Sequence, residues 1–284
     1  MANPALNDKR FEQVREDEGW EPGWAAPGAA TTTLAPPGGP SQPTGTAPLT
    51  PSGPPPGSTT GTMTANGTFA KTFALFVLVL AGGAFGWSQT TVSPLNEVQI
   101  PGWAWIAMFG AFALAMVCIF KPKASPFIAP LYAIGEGVFL GVISKAFESR
   151  WDGIVLQAIL VTAGVFFVTL ALYVFDIVKV TKKFQMIVIG ATGGIFLMYM
   201  VGLVLSLFGV DAVFWNEPTP LGIIVSVVIA CVAALNLFLD YEFISQSTRA
   251  GAPKYMEWYG AFGIMVTLVW LYLEVLRLIS LLRS

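Results

Sequence analysis

Histidine is absent from the 284 residues, and that absence closes several routes at once. Without imidazole there is no Ser-His dyad, no zinc motif built on histidine, and no side chain that ordinarily titrates near neutrality. Cysteine is nearly as scarce: Cys118 and Cys231 are the only two, and both fall inside apolar runs. Neither a disulfide framework nor a thiolate metal cluster is the natural reading of such a pair. Charge is thin as well. Charged residues make up 11% of the chain against 55% hydrophobic, whereas a soluble domain carries roughly 25% charged residues to coat its surface. The mean hydropathy of +0.67 agrees that lipid is the main solvent. A formal net charge of -2 supplies no basic field, so nucleic acid is excluded as a natural partner. Nothing calls for a cofactor, and the chain is expected not to be an enzyme.

Proline and glycine are plentiful but unevenly placed. Residues 1–67 hold most of the prolines, in runs such as APPGGPSQPTGTAPLTPSGPPPGSTTGT, a composition that buries too little apolar surface to offset its ordering entropy. This stretch reads as a disordered, solvated tail, or alternatively as a proline-rich ligand for another protein. The charges from Asp8 to Glu18 suit a short helix, yet nothing apolar follows at helical spacing to dock it. Because the first apolar run comes after this long polar segment, it is expected to remain as an anchor and not to be a cleaved signal peptide.

From residue 68 onward apolar runs recur, each about long enough to cross some 30 Å of hydrocarbon at ~1.5 Å per residue. They cover residues 72–88, 102–120, 127–147, 154–176, 184–208, 220–244 and 259–282. The connections are short and rich in breakers or charge, including KPKASP at 121–126, KVTKK at 179–183 and STRAGAPK at 247–254. Continuous apolar runs, unlike alternating ones, predict helices, so residues 68–284 are expected to form an all-α, seven-helix membrane bundle. The second, fourth and sixth loops carry Lys121, Lys123, Lys179, Lys182, Lys183, Arg249 and Lys254. The odd loops hold only Lys145 and Arg150, beside Glu97, Asp211 and Glu217. This bias sets the even loops and the N-terminus in the cytoplasm of a multi-pass plasma-membrane protein. Arg277 and Arg283 pull the other way, and a last helix that stops short of crossing is the reserve explanation.

An ionisable side chain at the bilayer centre costs from ~3 to well over 10 kcal/mol, so function is sought where the sequence keeps one. Glu136 lies in PLYAIGEGVFLG between Gly135 and Gly137, whose lack of side chains suits close helix approach. Asp240 lies in NLFLDYEFI with Asn236 one turn before it, Glu274 in VWLYLEVLRLI, and Glu257 at the cytoplasmic mouth of the last helix. Asp176 and Glu242 fall at run ends, where they are expected to be solvated. Each acid also has a purely structural reading. Glu274 can pair with Arg277 three residues on, and Glu136 can be a protonated carboxyl bonded to a neighbouring helix. Asp240 has no cation at i+3 or i+4. Two carboxylates meeting in a low-dielectric interior tend to share a proton, which makes such a pair a proton-sensitive latch whose oxygens suit a hard cation such as calcium.

The runs FLDYEFI and LVWLYLEVLRLISLLR together resemble the paired signature of the Bax inhibitor-1 family, and PLYAIGEGVFLGVIS resembles that family's third helix. The run APKYMEWYGAFGIMVTLVWLYLE is similar to a bacterial, actinobacterial branch. This resemblance runs from about residue 65 to the end and leaves out the tail. It implies a central last helix wrapped by three helix pairs, and a pH-sensitive calcium leak governed by a carboxylate pair. Asp240 matches the family's aspartate in the sixth helix. Glu274 stands where the seventh has aspartate, one methylene longer. The family's acid in the second helix has no counterpart, and Glu136 is its only stand-in.

Asp240 and Glu274 are therefore the expected sensor and gate, with Glu136, Glu257, Asn236 and Arg277 as secondary candidates. One conflict remains within the sequence itself. A hairpin turn centred near Gly251 sets Asp240 opposite the region of Glu257 and Phe262, and ~18 Å of helix rise then separates it from the level of Glu274. The alternatives are a proton-coupled transporter of a cation or solute, and a non-transporting scaffold that recruits partners through its tail. An intramembrane aspartyl protease would need a Gly-x-Gly-Asp motif, and a retinal protein a lysine between Lys254 and the end; the sequence has neither.

Overall fold

Each apolar run becomes a helix. The computed structural model describes residues 61–93, 98–99, 101–209 and 218–284. Within them the chain forms α1 (Ala65–Gln89), α2 (Gly102–Phe120), α3 (Ser125–Glu148), α4 (Ile154–Val174), α5 (Lys182–Leu207), α6 (Pro220–Arg249) and α7 (Met256–Arg283). All seven are long and apolar enough to cross a membrane, which bears out the all-α membrane bundle. The tail reading over residues 1–60, and the loop acids Glu97, Asp211 and Glu217, lie outside the described residues.

Threonine opens three of the helices. Thr64, Thr181 and Thr219 sit in extended backbone, and their side chains accept the N–H of Gly67, Phe184 and Gly222, each cap stabilising its helix by about 1 kcal/mol. The cap at Thr64 starts α1 at Ala65, ahead of the hydropathic boundary at residue 72. Hydropathy marks where lipid begins, whereas capping marks where the backbone winds. Gly251 ends α6 in the left-handed region at φ 71°. Its N–H donates to Thr248 O at 3.1 Å while Ala252 N–H reaches Ser247 O at 3.0 Å, a wrap that glycine permits at no steric cost. The link to α7 is thus confined to residues 250–255. Between α1 and α2 a two-residue ribbon pairs Thr91 with Gln99 and Val92 with Val98.

Small residues set the closest helix contact. A Cβ added at Gly82 or Gly86 of α1 would strike the α3 main chain at Ile134 and Val138. One at Gly137 or Gly141 of α3 would strike α1 at Val79 and Gly83. Two glycine pairs spaced by four thus face each other, the arrangement that lets helices touch in lipid, where apolar side chains gain little by associating. Of the two glycines beside Glu136, Gly137 serves this contact, and Gly135 faces Ala111 of α2, which a Cβ there would meet at 3.4 Å.

The last helix is central. It touches α1, α3, α4 and α6, and Phe262, Ile264, Met265, Leu271 and Leu276 on it are enclosed. By contrast α5 buries only Val188 and Gly202, leaving its apolar side chains to lipid. Around α7 the neighbours skip along the chain, α1 lying against α3 and α4 against α6. Three contacts fix α3 parallel to α7: Ser125 Oγ–H to Tyr255 O at 3.1 Å, Tyr132 against Phe262 with ring centres 5.1 Å apart, and the Ser144 and Tyr272 hydroxyls at 2.7 Å. At 28 residues α7 needs no shortened crossing. Its last arginine, Arg283, donates to Asp152 O at 2.9 Å and to Gln157 Oε1 at 2.7 Å. Cys118 is buried, Cys231 is exposed, and both are free.

Candidate functional site

Three polar layers lie along α7. The first is at its start, where Glu257 is fully buried and its carboxylate gathers donors from three segments. Thr64 donates both its N–H and its hydroxyl to Oε1, each at 2.9 Å, Lys254 approaches Oε1 at 3.0 Å, and Lys71 donates to Oε2. Gly67 has to be glycine, because a Cβ there would collide with this carboxylate. The segment before α1 is bound into the same layer: Met63 N–H donates to Ala252 O at 2.7 Å, Thr62 bridges to Pro253, and Met63 is buried. Glu257 therefore works as a clamp between α1 and α7. With two cations and two neutral donors on it, its role is explained by packing.

The third layer lies near the far end of α7. Tyr199 of α5 donates its hydroxyl to Glu274 Oε1 at 2.5 Å, and Arg277 Nη1 donates back to Tyr199 Oη at 2.7 Å. The ring closes with Arg277 Nη2 beside Glu274 Oε2 at 2.8 Å. That last contact meets the distance of an ion pair but not the alignment of a hydrogen bond, so it is Coulombic in character. Glu274 thus adopts the structural pairing that its spacing with Arg277 allowed, with a tyrosine from another helix added.

Asp240 and Asn236 make the middle layer, both buried on α6. Asn236 reaches across to α5, its Nδ2 donating to Thr192 Oγ1 and to Val232 O, both at 2.8 Å. Asp240 is fully enclosed. The contacts of Phe243 with Tyr259 and of Ile244 with the Gly260 backbone fix the register of α6 on α7, setting Asp240 level with Phe262 to Ile264. At ~1.5 Å per residue that level stands ~9 Å from Glu257 and ~16 Å from Glu274 along the axis.

The expected pairing of Asp240 with Glu274 is thus not what this hairpin builds. A pair needed a loop reaching to about residue 260, and α7 begins at Met256. Glu257, the reserve partner, has its oxygens engaged by Thr64, Lys71 and Lys254. Five of the six candidates divide as Glu257 at the first layer, Asp240 with Asn236 at the second, and Glu274 with Arg277 at the third. The parallel register of α3 on α7 sets Glu136 level with about Val266, ~5 Å of rise from the level of Asp240. Glu136 is half-buried on α3, one turn beyond Tyr132, whose ring meets Phe262. Glu242 is not at a helix end, since α6 runs on to Arg249; it accepts the Tyr173 hydroxyl at 2.8 Å and Gln246 Nε2 at 2.9 Å. Asp176 is exposed, as expected.

A family profile described as Bax inhibitor 1 like matches residues 3–284. The chain belongs to the Bax inhibitor 1-like family. No curated protein and no solved structure matches it. The resemblance carried by FLDYEFI and VWLYLEVLRLI is therefore borne out, and the family match also takes in the proline-rich segment that those helices left aside. Within this Bax inhibitor 1-like bundle, the partners missing from the sequence-based set are Thr64, Lys71, Thr192 and Tyr199. Lys71 carried a usable signal, being a lone cation at the edge of the first apolar run, and Tyr199 is a hydroxyl tip in an otherwise apolar stretch. Among the described residues no three His, Cys, Asp or Glu side chains converge as a metal site would require.

Proposed function

We propose that this Bax inhibitor 1-like protein lets a small cation, calcium foremost, leak across the membrane under control of the protonation of Asp240. The observation that carries the reading is a carboxyl fully enclosed in the later half of α6, beside the central helix. Carboxyl groups inside a membrane bundle are costly and are kept for ion or proton pathways. Protonated, Asp240 is neutral and the layer stays closed; ionised, it draws water and a hard cation toward oxygen ligands. The lysine-rich even loops orient the N-terminus toward the cytoplasm of a bacterial plasma membrane.

Liposomes holding the purified protein and a calcium dye test this. Calcium entry is expected to rise as pH is raised through the titration of the acid, and Asp240→Asn, a permanent mimic of the protonated form, is expected to hold entry low and flat. An Asp240→Asn protein that retains the wild-type pH response overturns the assignment. Flux that is stoichiometrically coupled to protons would instead make the protein an exchanger.

A further inference from the structure

Arg277 covers the oxygens that a cation would want. Its guanidinium stays charged at every physiological pH, lies 2.8 Å from Glu274 Oε2 and donates to Tyr199 Oη at 2.7 Å. Tyr199 in turn spends its proton on Glu274 Oε1. Two carboxylate oxygens are thereby held between Arg277 of α7 and Tyr199 of α5, the oxygen chemistry that hard cations select. The hold on them is incomplete. Among the described residues Nε and Nη2 of Arg277 have no aligned hydrogen bond, and its side chain keeps 17% of its surface exposed against 6% for Glu274. The guanidinium is therefore the looser member of the ring. It lies within two turns of the end of α7 at Arg283, toward which its flexible stem can swing.

We propose that Arg277 is a tethered cation that competes with the permeant ion for the Glu274 carboxylate, so that a divalent cation enters this layer only by displacing the guanidinium. The inference rests on the cation passage proposed above and adds a second control point, distinct from Asp240, at the other end of the pathway. It also assigns Tyr199 a role: its hydroxyl bridges the carboxylate and its resident cation and steadies both.

The test uses the full chain in nanodiscs, with calcium alone as the probe and binding read by shift of the unfolding temperature beside the liposome leak. Arg277→Gln removes the resident charge, and calcium binding is expected to tighten by about tenfold or more, the factor that one charge-assisted hydrogen bond is worth. Arg277→Lys keeps the charge but loses the two-pronged reach of the guanidinium, and is expected to fall between wild type and Arg277→Gln. Tyr199→Phe, which changes one oxygen and no charge, keeps the question answerable if the glutamine variant fails to fold; it is expected to loosen the lock and increase binding by a smaller factor. Adding Glu274→Gln to either variant is expected to abolish the gain. Wild-type-like binding in both Arg277→Gln and Tyr199→Phe overturns the proposal, as does Arg277→Lys behaving like Arg277→Gln. Tighter binding without any leak, in wild type or variants, supports the lock and overturns the conduction reading. A wild-type leak that Asp240→Asn abolishes and that all three single variants leave unchanged does the reverse.

Discussion

Arg277 stands three residues beyond Glu274 on the same face of α7 and holds its carboxylate at 2.8 Å. Both are largely withdrawn from water, and breaking a buried pair by removing one partner strands the other charge. Glu274→Gln or Arg277→Gln alone is expected to destabilise the protein by about 3–5 kcal/mol, and the double variant by much less than the sum. Unfolding in detergent, followed by the loss of helical circular dichroism, measures this coupling. Additive costs would show that the two groups do not depend on each other.

The glycine contact between α1 and α3 makes a sharper contrast. Gly137→Ala drives a methyl into the α1 main chain at Val79 and is expected to cost about 1–3 kcal/mol or more, since backbone yields less than a flexible side chain. Gly110→Ala on α2, where a Cβ meets nothing within 4 Å, is expected to be neutral or to gain about 0.5–1 kcal/mol from the better helix former. Equal effects from the two substitutions would remove the argument for a glycine-dependent interface.

How much of this was legible in the residues depends on the kind of signal. Apolar run length located all seven helices, and the fourth began at residue 154 in both readings, because lipid leaves helix as the economical answer for such a run. The cost of charge inside an apolar run singled out Asp240 and Glu274, and both are buried. Their supposed meeting failed on register. A helix rise of ~1.5 Å per residue, applied to a short turn at Gly251, already opposed it. What the residues did not disclose were partners from distant segments: Tyr199 for Glu274, Thr64 and Lys71 for Glu257, Thr192 for Asn236. Such contacts follow from which helices adjoin, and periodicity along one helix is silent on that.

At the mouth of α7, Thr64 caps α1 and also donates twice to Glu257. Thr64→Ala is expected to cost about 1–2 kcal/mol, part from the lost cap and part from the lost hydroxyl bond. Its backbone N–H remains, so the effect should stay below that of Glu257→Gln, which weakens the ion pairs to Lys71 and Lys254 together. Limited proteolysis just before residue 65 reports the loosening. A Thr64→Ala protein cut no faster than wild type would show that the segment before α1 is held by its backbone bonds and by Met63, without the Thr64 hydroxyl.

For the middle layer the decisive comparison is between two neighbours on one face. Asn236→Leu removes the donor to Thr192 but no titrating group, so it is expected to lower stability by about 1–3 kcal/mol while leaving a pH-dependent leak. Asp240→Asn is expected to do the opposite. If both variants flatten the pH response, the layer acts through its packing and not through the acid.

The central helix is also the seventh in chain order, and this has a consequence for how the protein is made. Six helices must enter the membrane before the one that four of them pack against exists. Until α7 arrives, the glycine-paired α1 and α3 on one side and α4 with α6 on the other have no common core, and the groove between them faces lipid or the insertion machinery. Nascent chains stalled short of Met256 should be the preferred clients of membrane quality control, and α7 supplied as a separate polypeptide should be able to complete them.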